Sequence, residues 1–67
     1  MNIKISTEYI KLSQFLKWSG AAYSGGDADQ MIVSGQILVN GIKEIRRGRK
    51  LRPGDIVSVN SNEYKVE

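Results

Sequence analysis

The sequence predicts an α+β fold in which two short helices pack on a small, largely antiparallel sheet. In the first half of the chain, apolar residues recur at the i, i+3, i+4 spacing of one helix face. In the second half they alternate with polar residues, and Asn-Gly and Pro-Gly pairs interrupt them, as expected for strands and turns. The predicted order is strand, helix, helix, then three or four strands, which is typical of helices gathered on one face of a sheet.

Length and composition restrict the function before any motif is considered. The 67 residues form one domain, and the chain has neither cysteine nor histidine. These absences remove thiolate sites, the commonest general base and the commonest metal ligand. No apolar run approaches the roughly 20 residues of a membrane-spanning helix. We therefore expect a cytoplasmic monomer with no catalytic residues, no metal, no cofactor and no small-molecule substrate.

The first half of the chain predicts a short strand over residues 1–6 and a helix at about Ser13–Ser19. Ser13 is the expected N-cap, and Gly20 offers a stop. The predicted core face of this helix consists of Leu12, Phe15 and Leu16.

A second helix is predicted over about Gly26–Ser34. Ser24 followed by Asp27 resembles a capping box with Asp in place of Glu, and Gly35 ends the helical spacing. Both helices are too short to be stable alone, so each must pack on other elements. The predicted core face of this second helix consists of Ala28, Met31 and Ile32.

The second half predicts two hairpins. Gln36–Val39 is rich in branched residues and is followed by Asn40-Gly41, a pair that favours a type I′ turn because both of its central residues need positive φ. Alternation then fails, so the return strand should bulge or end near Glu44. Alternating residues on both sides of Asn60-Ser61-Asn62 predict the second hairpin.

Charge is concentrated in one segment. The net charge of the chain is +3, and residues 43–52 alone carry +5, so they hold the whole positive excess. Residues 46–50 contain no apolar side chain and should form an exposed loop. One interpretation of this block is a solvated surface that only aids solubility. Its four arginines favour a polyanion site instead, because guanidinium groups match phosphate oxygens. The charged residues of the block are Lys43, Glu44, Arg46, Arg47, Arg49, Lys50 and Arg52.

An ordered series of residues resembles the RNA-binding domain named after small-subunit ribosomal protein S4, also described as the alpha-L RNA-binding motif. The resemblance covers about residues 11–59. Its most specific part is Ala28-x-x-Met31-Ile32-x-x-Gly35-x-Ile37-x-Val39-Asn40-Gly41, followed by Gly54-Asp55-Ile56-Val57. Arg46-Arg47-Gly48-Arg49-Lys50-Leu51 is similar to the small free-standing YaaA-like proteins of bacteria. The resemblance implies binding to structured RNA, with ribosomal RNA and ribosome assembly or maturation as the expected context.

The resemblance also implies which residues contact RNA. The family commonly has arginine where this chain has Lys11, and Ser-Arg where it has Ser24-Gly25. The second departure removes a bidentate phosphate donor, so we expect the basic loop to carry a larger share of the affinity. The expected RNA-binding residues are Lys11, Ser24, Gly25, Lys43, Arg46, Arg47, Arg49, Lys50 and Arg52.

Other features have two interpretations. The Gly25-Gly26 pair is either a flexible connector or a phosphate-binding helix start, and the connector is favoured. Tyr9, Trp18 and Tyr23 could stack on bases, but we expect aromatic residues in so small a domain to lie in the core or at its edge, with Trp18 partly buried. Acidic residues could bind a metal, but caps and local salt bridges explain them better. The acidic residues in question are Asp27, Asp29 and Glu44.

Three other functions remain as alternatives. The basic loop could dock on an acidic protein partner, which would make the chain a protein–protein adaptor. It could also bind DNA through the same phosphate chemistry. The third alternative is a fragment of an enzyme, since domains of this kind are often joined to catalytic ones, although the chain contains no catalytic constellation.

Overall fold

The computed structural model describes residues 1–67 and contains two helices and seven strands. The helices are α1, Leu12–Trp18, and α2, Gly25–Val33. The strands are β1 (Asn2–Ile3), β2 (Ile10–Lys11), β3 (Ile37–Val39), β4 (Ile42–Lys43), β5 (Lys50–Leu51), β6 (Ile56–Val59) and β7 (Asn62–Val66).

Five of the strands form one sheet in the order β1-β7-β6-β3-β4. All of its pairs are antiparallel except β1 with β7, so the sheet is mixed but largely antiparallel, as predicted. The strands β2 and β5 form a separate antiparallel pair. This second pair corrects one expectation: Lys50, which was predicted to lie in the exposed loop, belongs to a strand.

The core lies between the two helices and the inner face of the sheet. All predicted core residues of the helices are fully buried except Met31, which is partly buried against the core. The ring of Phe15 meets that of Tyr64 edge-to-face, with 6.3 Å between centroids. The sheet and the connecting segments contribute Ile37, Val39, Leu51, Val57, Val59 and Val66.

The first helix begins at Leu12 rather than Ser13, and the prediction of Ser13 as its N-cap is wrong. Lys11 occupies the N-cap position, and no side chain caps the helix. Instead, the backbone N–H of Leu12 donates to the carbonyl of Arg49 at 2.8 Å, and that of Ser13 donates to the carbonyl of Arg47 at 3.3 Å. Carbonyl groups of the loop therefore accept hydrogen bonds from backbone N–H groups at the start of α1, a role that a capping side chain would otherwise fill.

The second helix begins at Gly25, and Ser24 is its N-cap, as predicted. The Ser24 hydroxyl accepts a hydrogen bond from the backbone N–H of Asp27 at 3.2 Å. The Asp27 carboxylate makes no return bond, so only half of a capping box forms. The helix ends just before Gly35, whose φ of +83° lies in the left-handed region.

Both predicted hairpins are present, and the first has the predicted turn. Asn40 and Gly41 have φ of 54° and 82°, as a type I′ turn requires. The Asn40 amide donates to Asp55 Oδ1 at 3.1 Å and accepts from the backbone N–H of Ile56 at 2.9 Å. Strand β4 ends at Lys43, which confirms the predicted end near Glu44.

Candidate nucleic-acid interface

The basic loop is organised around one buried carboxylate, that of Glu44, which is only 5% exposed. Glu44 accepts from Arg46 Nε at 3.0 Å, from Arg46 Nη2 at 3.1 Å and from Arg49 Nη1 at 2.8 Å. The backbone N–H of Arg46 adds a bond at 3.2 Å. The prediction of an exposed loop is confirmed for Arg46 to Gly48, whereas Arg49 is half-buried. The loop is therefore built on an ion-pair network around the Glu44 carboxylate.

The same network sets the ionisation of Glu44. The side-chain hydrogen bond from Arg46 is the largest influence on its pKa. Together with the bonds from Arg49, it overcomes the opposing effect of burial and lowers the pKa of Glu44 to about 2. In return, the carboxylate raises the pKa of Arg46. At neutral pH the loop therefore contains a permanently charged carboxylate that orients two arginines.

A second ion pair connects the loop to α2. Arg47 Nη1 lies 3.2 Å from Asp29 Oδ2, one helical turn from the start of that helix at Gly25. Ser24 and Gly25 are exposed there, and nothing lies within 4 Å of a Cβ built on Gly25. The favoured interpretation of Asp29 and Glu44 as partners in local salt bridges is confirmed.

Three basic residues on and beside the second sheet form what we call the strand cluster: Lys11, Lys50 and Arg52. Lys11 and Lys50 lie directly opposite each other in the β2–β5 register. The Lys50 ammonium lies 4.9 Å from the centroid of the Tyr9 ring, and the Arg52 guanidinium carbon lies 5.8 Å from it. No member of the cluster takes part in an ion pair. Like charges at directly opposed strand positions are destabilising, and no carboxylate pairs with either lysine to offset their repulsion.

Lys43 lies apart from both groups. Its side chain runs past Gly35, where an added Cβ would come within 3.3 Å of Lys43 Cδ. It is therefore next to the C-terminal end of α2, whereas Ser24 and Gly25 are at the other end. The nine predicted residues do not converge on a single point; they form the loop, the strand cluster and contacts at the two ends of α2.

The aromatic residues correct another expectation. Trp18 is 70% exposed and Tyr23 is 99% exposed, so neither lies in the core or at its edge. The helix packs Phe15 and Leu16 inward, which leaves Trp18 on its exposed side. Sequence reasoning also missed Glu44 as the centre of the loop, although its position as the only acid in a basic run was a usable signal.

No group of three potential metal-ligating side chains occurs in the structure. Neither helix has the length and apolar character needed to cross a bilayer.

Comparison with known proteins gives consistent matches along the chain. A family model described as the S4 domain matches residues 3–67. The probable ribosome maturation protein RlbA of Bacillus subtilis (strain 168) is 46% identical over 57 residues, covering 85% of this chain and 80% of RlbA.

Two solved structures share the fold. The solution structure of YbcJ from E. coli, which has an αL motif involved in RNA binding, superimposes with a TM-score of 0.74 and 29% identity, covering 97% of this chain and 84% of YbcJ. The 30S ribosomal protein S4e of Thermoplasma acidophilum gives a TM-score of 0.67 at 16% identity, covering 90% of this chain and 32% of S4e, which shows similarity of fold alone.

Proposed function

This chain belongs to the S4 domain family, and on that basis we propose that it is a cytoplasmic, monomeric, non-catalytic module that binds structured RNA. Ribosomal RNA is the proposed target, and assembly or maturation of the ribosome is the proposed context. The match to a probable ribosome maturation protein over most of both chains supports that context.

The strand cluster is the observation that carries the proposal. Two lysines are held opposite each other with no acid to compensate them, beside an arginine that also lacks an ion-pair partner. A surface that served only solubility would gain nothing from this repulsion. A phosphate backbone would convert it into attraction, and release of condensed counterions would add to the affinity.

The loop contributes differently from the strand cluster. Arg46 and Arg47 are paired with carboxylates, yet their side chains remain 72% and 64% exposed. Each guanidinium has five N–H donors. The carboxylate therefore fixes the orientation of the guanidinium group, and the remaining donors are available to phosphate oxygens. Because the grooves of A-form RNA limit base readout, such backbone contacts should dominate recognition.

The double variant Lys11→Gln/Lys50→Gln tests the proposal. Salt titrations of binding to a ribosomal RNA fragment should give the unmodified protein a slope of log K against log salt of about −3.5 to −4.5, if about five phosphates are neutralised. The variant should lose at least about tenfold in affinity near 0.1 M salt, and its slope should be shallower by about 1.4 to 1.8. Its thermal stability should change little, because removing the repulsion between the two lysines offsets the loss of the contact between Lys50 and the Tyr9 ring.

Lys65→Gln is the matched control, since Lys65 lies on the exposed face of β7. It should leave the slope within error. Unchanged affinity in the double variant would contradict the proposal. Equal competition by duplex DNA of the same length would point to DNA instead, and a ribosomal association that survives RNase would point to a protein partner.

A further inference from the structure

An open groove of about 870 Å³ lies next to the strand cluster. It runs between the segment of residues 5–11 and the outer side of α1. Ile5 and Ile10 provide apolar surface, Tyr9 and Trp18 provide aromatic rings, and Lys11 and Lys17 add positive charge. The volume lies within the range of roughly 300–1,000 Å³ that is usual for small-ligand sites. The loop arginines do not line this groove, so its chemistry is separate from theirs.

Trp18 is the least expected feature of the groove. It is the only tryptophan of the chain and is 70% exposed, at the end of a helix whose other large apolar residues are fully buried. A tryptophan side chain buries a large apolar surface when another group packs against it, and a flat aromatic group adds stacking energy. Nothing within the chain supplies such a group.

The charge of the groove indicates what would fill it. Two lysines line the groove and no acid does; Glu8, although next to Tyr9 in sequence, is not among the lining residues. A ligand that combines a flat aromatic face with negative charge fits both properties. The groove is also continuous with the strand cluster, because Lys11 belongs to both and Tyr9 lies beneath Lys50.

We propose that this groove receives one unpaired base of the bound RNA, stacked on Trp18, with the adjoining phosphates on Lys11 and Lys17. The proposal rests on the proposed RNA-binding function and specifies the kind of RNA. Bases inside a duplex are already stacked and paired, whereas a bulged or junction base is available to an aromatic side chain. The preferred target is therefore a helix with an unpaired nucleotide beside it, rather than a continuous duplex.

Two RNA probes test this inference: a blunt 16-base-pair duplex, and the same duplex with a three-nucleotide bulge. Binding is measured by anisotropy of labelled RNA, and stacking by quenching of the single tryptophan. We expect the bulged RNA to bind about tenfold more tightly and to quench the emission, as expected for stacking of one base on an aromatic ring. Trp18→Ala should remove the preference while leaving affinity for the blunt duplex unchanged.

Tyr23→Ala is the control, because Tyr23 is an aromatic residue even more exposed than Trp18 but lies outside the groove. It should retain the preference for the bulge. If both RNAs bind equally without quenching, while Lys11→Gln/Lys50→Gln still weakens both, the groove inference is overturned and the proposed function stands. If neither RNA binds the unmodified protein, both are overturned.

Discussion

Glu44 determines where two arginines of the basic segment point. Its carboxylate is buried and accepts three side-chain hydrogen bonds from Arg46 and Arg49. Replacing those arginines by alanine would leave a buried carboxylate with only the backbone N–H of residue 46 as a partner, which is costly in itself. Neutralising the lysines of the strand cluster is therefore a cleaner test of RNA binding than removing the loop arginines.

Glu44→Gln should lower the free energy of unfolding at pH 7 by about 1.5–3 kcal/mol, the range for hydrogen bonds to charged groups. The folded-state pKa of Glu44 is about 2, below its ordinary value of 4.5. The stability it contributes is therefore fully present above about pH 4.5 and is lost as the pH falls towards 2. Denaturant unfolding followed by circular dichroism between pH 2 and 7 measures both effects.

Glu63→Gln is the control for this experiment, since the Glu63 carboxylate is exposed and takes part in no ion pair. It should be close to neutral and should keep the acid-dependent loss of stability. If Glu44→Gln were as stable as the unmodified protein at pH 7 and still lost stability between pH 4.5 and 2 to the same extent, the role assigned to this carboxylate would be wrong.

At the scale of single residues, the sequence predicted correctly those features that depend on residues near each other in the chain. Ser24 caps the helix that follows it, and Asn40-Gly41 forms the predicted turn, because both depend on residues a few positions apart. Ser13 was wrongly assigned because the donors at that helix start are satisfied by carbonyls of Arg47 and Arg49, more than thirty residues away. No local pattern carries that information.

The basic loop has a defined position in the fold because it contacts both helices. Its carbonyls accept from the start of α1, and Arg47 pairs with Asp29 of α2. The β2–β5 pair then places Lys11 opposite Lys50. These strands have two residues each, too few to show a strand period, so the sequence could not predict the pairing that forms the strand cluster.

Gly25→Arg tests whether the start of α2 belongs to the RNA-binding surface. The position is exposed, its φ is not in the left-handed region, and an added Cβ meets no atom within 4 Å. The variant should fold normally and bind the ribosomal RNA fragment more tightly, by about three- to tenfold, since the salt slope should steepen by about 0.7 to 0.9.

Gly25→Gln is the matched control, because it adds a flexible polar side chain at the same position without the charge. It should share any change in helix stability but leave RNA affinity unaltered. Equal affinities for the arginine and glutamine variants would place the start of α2 outside the interface and would leave the loop and the strand cluster as the binding surface.

At the scale of the whole molecule, the protein is small relative to its proposed target. Its principal extents are 27 × 22 × 18 Å. A duplex of that greatest length has about sixteen phosphate charges at the B-DNA spacing of about 1.7 Å per charge. The positive charge of the protein, rather than the supply of phosphates, therefore limits the number of contacts, so losing two lysines should have a large effect on affinity.

The overall architecture could be predicted because three signals indicate the same fold. These are the helical spacing of apolar residues in the first half of the chain, their alternation in the second half, and the Asn-Gly turn. The parallel pairing of β1 with β7 could not be predicted, because it brings the two ends of the chain together and depends on the finished sheet. The charge block was visible in the sequence, but which of its residues form ion pairs depends on where the folded chain places Asp29 and Glu44. Arg46, Arg47 and Arg49 are paired, whereas Arg52 and the lysines are not.

The most direct test of the central claim is ultraviolet crosslinking of the full chain to ribosomal RNA, with the modified residues mapped by mass spectrometry. We expect adducts within residues 5–18 and 43–52, which contain the groove, the strand cluster and the loop, and we expect Lys11→Gln/Lys50→Gln to reduce them. Adducts confined to the exposed face of β6 and β7, or no adducts at all, would contradict it.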